Sequence, residues 1–169
     1  MTTPPAHTPY RPRINTLGFV LHPDRERVLM VHRTARSDDY QLGKYNGLGG
    51  KLESDEDIAT CMKREITEEA GITVTSMRLR GTISWPGFSD AGDEFGFIFL
   101  IDGWQGEPYT SNVEGPLSWQ RIDALDELPL WPGDRYFLPL VFDASVPQFH
   151  GVLPYADGSP VSWSCTILG

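Results

Sequence analysis

Cysteine, basic residues and long apolar runs are all scarce in this sequence, and each shortage excludes a class of protein. Two cysteines, Cys61 and Cys165, are too few for a disulfide framework or a zinc cluster. Fourteen lysines and arginines stand against 23 aspartates and glutamates, giving a formal charge of -9. Because nucleic-acid backbone is bound through Lys and Arg, this balance argues against a nucleic-acid polymer as partner. An acidic chain can still bind phosphates when metal cations lie between the two sets of charges.

No apolar run is long enough to span a membrane, and no charged-then-apolar leader opens the chain. We therefore expect no membrane association and a location in the reducing cytoplasm. The length of 169 residues, 40% of them hydrophobic, fits one soluble domain. Residues 1–13, rich in Pro and Thr, are expected to form a flexible tail, with residues 14–169 as the domain. Nothing in the sequence indicates an oligomeric state.

The apolar pattern predicts a mixed α and β fold with hairpins, and not a doubly wound parallel sheet. Two strands flank a polar turn at 22–25, and a polar loop follows at 34–44. Strands are also predicted at 73–85 and 94–104, separated by a loop at 86–93. The remaining predicted elements are a strand at 116–121, short helical pieces near 123–129 and 134–143, and a closing hairpin that turns at Asp157-Gly158.

A helix is predicted over residues 55–70. Ser54 or Asp55 is the expected N-cap, and Gly71 is expected to end the helix. On a helical wheel of about 100° per residue, the apolar stripe consists of Ile58, Cys61, Met62 and Ile66. Cys61 is therefore interpreted as a small core residue.

Three glutamates of this helix, Glu65, Glu68 and Glu69, are spaced i, i+3 and i+4. Like charges at this spacing destabilise an isolated helix by roughly 0.2–0.5 kcal/mol per pair. An acidic run usually forms a solvated face, but here Glu65 and Glu69 project into the apolar stripe and Glu68 lies at its edge. Because a buried carboxylate must be paired or bound to metal, the spacing favours a site for Mg²⁺ or Mn²⁺. Gly49 and Gly50 by themselves indicate only a turn, but beside these glutamates they would leave a carbonyl facing the same cation.

The stretch GGKLESDEDIATCMKREITEEAGI, residues 49–72, resembles the signature box of the Nudix hydrolases. Gly50 is followed by five residues and Glu56, then by seven residues and REITEEAGI. The resemblance implies an α/β/α sandwich with a mixed sheet and a loop–helix–loop catalytic box. It also implies hydrolysis of a diphosphate linkage by attack of water on phosphorus.

The resemblance implies metal ligands within the box: the carboxylates of Glu65, Glu68 and Glu69 and the carbonyl of Gly50. One of the glutamates would orient or deprotonate the water. A further acidic ligand usually comes from a distant loop in this family, and Glu114 is the candidate here. A solvated loop glutamate is an equally consistent interpretation of Glu114.

The other box positions are implied to support this site. Arg64 would position a glutamate through an ion pair, Glu56 would brace the loop, and Gly71 would end the helix. Phosphoryl transfer needs charge neutralisation on the phosphate oxygens and an aligned water, and a divalent metal supplies both.

Segments outside the box, YNGLGGKL, LWPGDRYFLPLVF and FHGVLPY, resemble the MutT-type oxidised-purine nucleoside triphosphatases. The resemblance implies that a nucleotide such as 8-oxo-dGTP is hydrolysed to the monophosphate and pyrophosphate, which would cleanse the nucleotide pool. The implied substrate-binding residues are Thr16, Asn46, Trp85, Phe95, Trp131 and Asp134.

Several of these residues have simpler interpretations. Asn46 is typical of a turn beside Gly47, and Trp131 and Asp134 are typical of a core aromatic and a helix cap. The chain also departs from the MutT-type pattern, because Gly133-Asp134 stands where that pocket has two adjacent aspartates. Only one carboxylate then remains to contact the purine edge.

Two other functions stay open at this point. One is a Nudix hydrolase of ADP-ribose or of dinucleoside polyphosphates, since Pro86 lies near the marker proline of ADP-ribose hydrolases. The other is a non-catalytic nucleotide sensor with a Nudix fold. Such sensors usually lose box glutamates, whereas this chain keeps all of them.

Overall fold

The computed structural model describes residues 9–169, in which ten strands and two α-helices form a layered α/β domain. The strands are β1 Arg13–Leu21, β2 Arg27–His32, β3 Tyr45–Asn46, β4 Thr73–Ser89, β5 Gly92–Gln105, β6 Leu117–Arg121, β7 Gln148–Val152, β8 Tyr155–Ala156, β9 Ser159–Pro160 and β10 Ser164–Leu168. The helices are α1 Ile58–Ala70 and α2 Asp134–Phe142, and a 3₁₀ helix covers Ile122–Glu127.

The sheet is mixed, as the sequence predicts. Its hydrogen-bonded order is β10-β7-β4-β5-β1-β2-β3, and β6 also pairs with β2. The β1–β5 and β4–β7 pairs are parallel, whereas the other strand pairs of this sheet are antiparallel. A doubly wound parallel sheet is therefore excluded, and the α/β fold class is confirmed.

The two faces of the sheet are covered by different helices. Alternate residues of β1 point to opposite faces, so Phe19 packs in the core with α2 while Val20 packs in the core with α1. From α1, Met62 and Ile66 are fully buried, and Phe137 of α2 is 1% exposed. This arrangement is the α/β/α sandwich implied by the resemblance.

Helix α1 starts later than predicted. Its N-cap is Asp57, whose Oδ1 accepts hydrogen bonds from the N–H groups of Ala59 and Thr60 at 2.8 and 3.0 Å. An N-cap side chain accepts from donors two and three residues later, and here Asp57 does so. The expected caps Ser54 and Asp55 are therefore wrong. Gly71 ends the helix in the left-handed conformation, as predicted. The assignment of Cys61 to the core is also confirmed, with 0% exposure.

The predicted loop at 86–93 is mostly strand. Strand β4 continues to Ser89 and β5 begins at Gly92, which leaves a tight connection at residues 90–91. The register between the strands shifts from the Trp85–Glu94 pair to the Ser89–Gly92 pair. Such an irregularity accommodates extra residues that alternation alone does not predict.

The other predicted elements agree with the structure within a few residues. The first hairpin, the polar loop, the strand at 117–121, the two short helices and the turn at Asp157-Gly158 are all present. Of the predicted tail, residues 1–8 lie outside the described part of the chain, residues 9–12 have no regular secondary structure, and Arg13 begins β1. Among residues 9–169, no helix has both the length and the apolarity needed to cross a membrane.

A buried arginine fixes α2 to the sheet. Arg80 of β4 is 4% exposed. Its guanidinium donates to the carbonyls of Leu140, Val141, Asp143 and Pro147 at 2.8 to 3.2 Å. It thereby satisfies carbonyls at the C-terminal end of α2, which otherwise lack intrahelical partners.

Candidate functional site

The glutamates of α1 differ in burial as predicted. The side chains of Glu65 and Glu68 are 13% and 59% exposed. The N–H of Gly49 donates to Oε2 of Glu69 at 2.9 Å. Burial raises the pKa of Glu69 to about 8, and the negative charges of Glu114 and Glu65 act in the same direction. Burial also raises the pKa of Glu65.

Two adjacent glycines let the backbone approach these carboxylates. A Cβ on Gly50 would lie 2.4 Å from Oε1 of Glu65, so a side chain at position 50 would displace the carboxylate. Gly49 has a φ of 152°, and a Cβ there would lie 2.1 Å from the carbonyl oxygen of Thr16. The Gly50 carbonyl accepts the N–H of Thr16 at 2.8 Å and keeps one lone pair for another ligand.

Arg64 links the box together. Its Nε and Nη2 donate to the two oxygens of Glu56 at 3.0 and 2.6 Å, and its Nη1 donates to Glu65 at 2.8 Å. Nη1 also lies 3.3 Å from Oε2 of Glu68. Hydrogen bonds from Arg64 lower the pKa of Glu56 to about 2. The positions of Arg64 and Glu56 therefore agree with the roles that the resemblance implies.

Glu114 lies in the loop before β6, close enough for its charge to raise the pKa of Glu69. Its carboxylate is ion-paired with Arg33, which also pairs with Asp39 at 2.7 Å. Among residues 9–169, no three His, Cys, Asp or Glu side chains are grouped closely enough to enclose a metal ion. Glu65 and Glu114 are each paired with an arginine, Arg64 and Arg33 respectively.

The donor set nevertheless fits a hard divalent cation. Carboxylate and carbonyl oxygens are the ligands that Mg²⁺ and Mn²⁺ prefer. Glu69 is a largely buried carboxylate with one backbone donor, and the negative charges of Glu114 and Glu65 repel it while Arg33 only partly offsets them. A cation would relieve this repulsion, and it would compete with Arg33 for Glu114 and with Arg64 for Glu65.

A cavity of about 740 Å³ begins at the two glycines. It extends between the sheet and α2 to Trp131 and Asp134, and it is also lined by Glu114. Glu65, Glu68 and Glu69 are not among its lining residues, but Glu65 lies against Gly50 and Glu69 accepts the Gly49 N–H. One continuous space therefore joins the glycine end to an aromatic end.

Five of the six expected substrate-binding residues line the cavity: Thr16, Asn46, Trp85, Trp131 and Asp134. The Asn46 amide donates to Gln41. Burial raises the pKa of Asp134 to about 7, which makes its carboxyl able to gain or lose a proton near neutrality. The indole Nε1 of Trp131 is buried without a hydrogen-bond partner among the described residues.

The structure also explains why glycine precedes Asp134. A Cβ on Gly133 would lie 2.3 Å from the hydroxyl of Tyr155 and 2.6 Å from Cδ2 of Leu153. The Gly133 N–H donates to the same hydroxyl at 3.0 Å. Tyr155 therefore fills the space that a second aspartate would need.

Two expected pocket residues point away from the cavity. Phe95 follows the cavity-lining Glu94 on β5, so its side chain faces the other side of the sheet and packs on Phe97 at 5.5 Å between ring centroids. The hydroxyl of Thr16 lies 3.3 Å from Sγ of Cys61 on α1, although Thr16 borders the cavity. Phe95 therefore does not line the cavity, whereas Thr16 borders it without directing its hydroxyl into it.

Several lining residues were missed from the sequence. They are Arg13, Asn15, Arg33, Tyr40, Gln41, Phe88 and Glu94. Alternation along β1 predicts that Asn15 shares a face with Leu17, which was the available signal. No sequence signal predicted Tyr40 or Phe88 as lining residues, because a polar loop and an irregular hairpin bring them against Trp131.

Comparison with known proteins identifies the family of the chain. Residues 11–141 match the NUDIX domain family. The chain is 33% identical over 145 residues to the oxidized purine nucleoside triphosphate hydrolase of Mus musculus, covering 86% of this chain and 88% of the mouse protein. It is 31% identical over 129 residues to the Danio rerio protein of the same name, covering 76% and 79% of the two chains.

Solved structures give the same result. The structure is similar to that of the mutator MutT protein from Bacillus halodurans, with a TM-score of 0.78 and 28% identity, covering 90% of this chain and 97% of the other. The chain belongs to the NUDIX domain family and is a Nudix hydrolase.

Proposed function

We propose that this chain is a metal-dependent pyrophosphohydrolase of oxidised purine nucleoside triphosphates, such as 8-oxo-dGTP. The products are the nucleoside monophosphate and pyrophosphate. The observation that carries the proposal is the single cavity that joins the Gly49–Gly50 end to Trp131 and Asp134. A triphosphate at the first end would place a base at the second.

The metal ligands in this proposal are Glu65, Glu68, Glu69, Glu114 and the Gly50 carbonyl. Nudix hydrolases generally use divalent metal ions, and Mg²⁺ or Mn²⁺ suits these oxygen donors. When bound, the metal neutralises charge on phosphate oxygens and makes water a stronger nucleophile. The raised pKa of Glu69 supports the assignment, because a carboxylate in this environment is stabilised by a cation.

The protein's own groups perform the other tasks. One carboxylate of the glutamate set accepts the proton of the attacking water. Arg64, fixed by both oxygens of Glu56, keeps Glu65 in place. The peptide N–H of Gly49 orients Glu69. These fixed groups pay little reorganisation cost when the phosphorus is attacked.

Asp134 and Asn46 contact the base in this proposal. A carboxyl group accepts hydrogen bonds from N–H groups of a purine edge, and the Asn46 amide both donates and accepts. Trp131 and Trp85 supply aromatic surface for the ring. The printed names of the mouse and zebrafish relatives, both oxidized purine nucleoside triphosphate hydrolases, support this choice of substrate.

Both cysteines are free thiols, which is consistent with a reducing cytoplasmic location.

A substrate screen tests the proposal. The full chain is assayed with Mg²⁺, with Mn²⁺ and after exhaustive chelation, with phosphate and pyrophosphate measured separately. Its substrates are 8-oxo-dGTP, 2-oxo-dATP, the unmodified purine triphosphates, dCTP, ADP-ribose and a dinucleoside polyphosphate. We expect the highest kcat/KM on an oxidised purine triphosphate, with pyrophosphate as product.

Two results would contradict the proposal. Full activity after chelation would exclude the metal site. A preference for ADP-ribose or for the dinucleoside polyphosphate would place the chain in a different class of Nudix hydrolase.

A further inference from the structure

An ion-paired carboxylate, Glu94, lies on the wall of the cavity and has no role in the proposed function. Glu94 of β5 lies beside Arg13 in the parallel β1–β5 register and beside Trp85 in the antiparallel β4–β5 register. Arg13, Asn15 and Glu94 all line the cavity. The group is therefore part of the space that would hold the nucleotide.

Each oxygen of Glu94 has one donor from the protein. Arg13 Nη2 bonds to Oε1 at 2.5 Å, and the Asn15 amide donates to Oε2 at 2.8 Å. Arg13 also donates to the hydroxyl of Ser89 at 3.0 Å. A carboxylate offers about four lone-pair sites, so Glu94 can accept further hydrogen bonds. Its side chain is only 13% exposed, which holds it in a fixed position.

The position of Trp85 beside Glu94 indicates which group could donate a hydrogen bond to the carboxylate. Directly opposed residues of an antiparallel pair have Cβ atoms about 4.5–5.5 Å apart, so the Glu94 carboxylate lies beside the Trp85 side chain. The Trp85 ring lies over Gly96, where a Cβ would be 2.4 Å from its Cζ3. A base that packs on this indole would turn an edge towards Glu94.

We propose that Glu94, oriented by Asn15 and Arg13, is a second acceptor for the purine edge and a determinant of base specificity. This inference rests on the proposed function. The group it takes is an exocyclic amine, while Asp134 takes the neighbouring ring N–H. Glu94 thereby supplies, from the opposite wall, a carboxylate for which Tyr155 leaves no room at position 133.

The experiment compares two nucleotides that differ by this one amine. Deoxyguanosine and deoxyinosine triphosphates are hydrolysed by the parent chain and by Glu94→Gln, and binding of the two monophosphates is measured by calorimetry. A glutamine oxygen would accept from Arg13, and the glutamine NH2 would stand where the Asn15 amide now donates, so the Asn15 amide must rotate to present its oxygen. The side chain would then offer the base a donor in place of an acceptor. We expect Glu94→Gln to lower kcat/KM for the guanine nucleotide by about tenfold or more. The loss on the hypoxanthine nucleotide should be less than about threefold.

A closely matched control is available on the same strand. Asp102 of β5 also bonds one arginine, Arg78 at 3.2 Å, and one neutral donor, Ser76 at 2.6 Å. Its side chain is 16% exposed, and it lies outside the cavity lining. Asp102→Asn should leave the guanine-to-hypoxanthine ratio unchanged. If Glu94→Gln does not fold, Asn15→Ala, which removes the donor that orients Glu94, should lower the same ratio by about threefold or more.

The outcomes distinguish a failure of this inference from a failure of the proposed function. Equal losses on both nucleotides would make Glu94 a structural brace and overturn the inference alone. GTP is assayed beside dGTP as a further substrate, and a larger Glu94→Gln loss on GTP than on dGTP would overturn the inference as well, because Glu94 would then bind the sugar. If the parent chain neither hydrolyses nor binds purine nucleotides, the proposed function fails and the inference fails with it.

Discussion

The carboxylate of Glu65 occupies the space that a side chain at Gly50 would need, since a Cβ there would lie 2.4 Å from Oε1. The preceding residue, Gly49, is constrained differently. Its φ of 152° and the 2.1 Å approach of a Cβ to the Thr16 carbonyl oxygen leave no room for another residue. Gly50 therefore leaves room for the Glu65 carboxylate, whereas Gly49 leaves room for the backbone carbonyl of Thr16.

Gly50→Ala and Gly49→Ala should consequently fail in different ways. Gly50→Ala displaces a movable carboxylate, so we expect kcat to fall by at least about tenfold while the melting temperature changes little. Gly49→Ala opposes backbone against backbone and should destabilise the fold by about 1–3 kcal/mol. Activity assays and thermal unfolding of both variants test this. A Gly50→Ala variant with normal turnover would show that Glu65 need not occupy its present position.

Glu69→Gln should separate activity from stability. The change removes a metal-binding charge at nearly constant volume, so turnover should fall by at least about a hundredfold. Without metal, however, the parent retains a largely buried carboxylate near Glu65 and Glu114. The variant should therefore melt at the same or a higher temperature than the parent in a chelator at pH 8. A variant that unfolds but hydrolyses normally per folded molecule would make Glu69 a structural residue.

The raised pKa of Asp134 predicts a pH dependence of stability. The carboxyl titrates near 7 in the fold, against about 3.9 in the unfolded chain. Between these values the folded state keeps a proton that the unfolded chain has released. The contribution of Asp134 to the free energy of unfolding should therefore decrease as the pH rises from about 4 to about 7 and then level off.

Asp134→Asn should make the pH dependence of the free energy of unfolding shallower between pH 5 and pH 7 in urea titrations, while the decrease due to Glu69 remains. Asp143→Asn is the control at the other end of α2, because hydrogen bonds from Ser145 lower the pKa of Asp143 and place its effect below this window. An unchanged slope in Asp134→Asn would mean that the Asp134 carboxyl is better solvated than its surroundings indicate.

Base selectivity should depend on the same residue. Asp134→Ala should lower kcat/KM for guanine nucleotides by about ten- to a hundredfold, since a buried donor left without a partner costs roughly 1–3 kcal/mol. Pyrimidine nucleotides should be much less affected, because the phosphate contacts are unchanged. Steady-state kinetics with 8-oxo-dGTP, dGTP and dCTP give the comparison. Equal losses on all three would assign Asp134 to the scaffold.

Arg80 should be required for stability. Arg80→Met leaves four carbonyls near the end of α2 without their donor, and we expect a loss of at least about 2 kcal/mol in the free energy of unfolding. Arg78→Met, two residues away on the same strand and 52% exposed, should cost less than about 1 kcal/mol. Chemical denaturation measures both. Equal effects would show that solvent satisfies these carbonyls once Arg80 is removed.

Local chemistry was sufficient to predict the box. The spacing of Glu65, Glu68 and Glu69, the stripe through Met62 and Ile66, and the end of α1 at Gly71 all depend on residues within a few turns of one helix. Periodicity and propensity act over that range, so local patterns were enough to predict the helix apart from its first residues, its buried carboxylates and the glycine turn before it. The mixed sheet and its hairpins followed from strand patterns in the same way.

The part of the cavity lining formed by Glu94 and Asn15 depends on tertiary structure and could not be predicted from local sequence. Glu94 and Asn15 are 79 residues apart, and only the parallel register of β1 and β5 makes them neighbours. Phe95 was expected at the cavity because alternation shows that neighbouring side chains diverge, but not which face of the sheet a helix will cover. Gly133 is a glycine because Tyr155 reaches it from a later strand. These features depend on long-range pairing and packing, whose free energy comes from contacts that no local stretch of sequence contains.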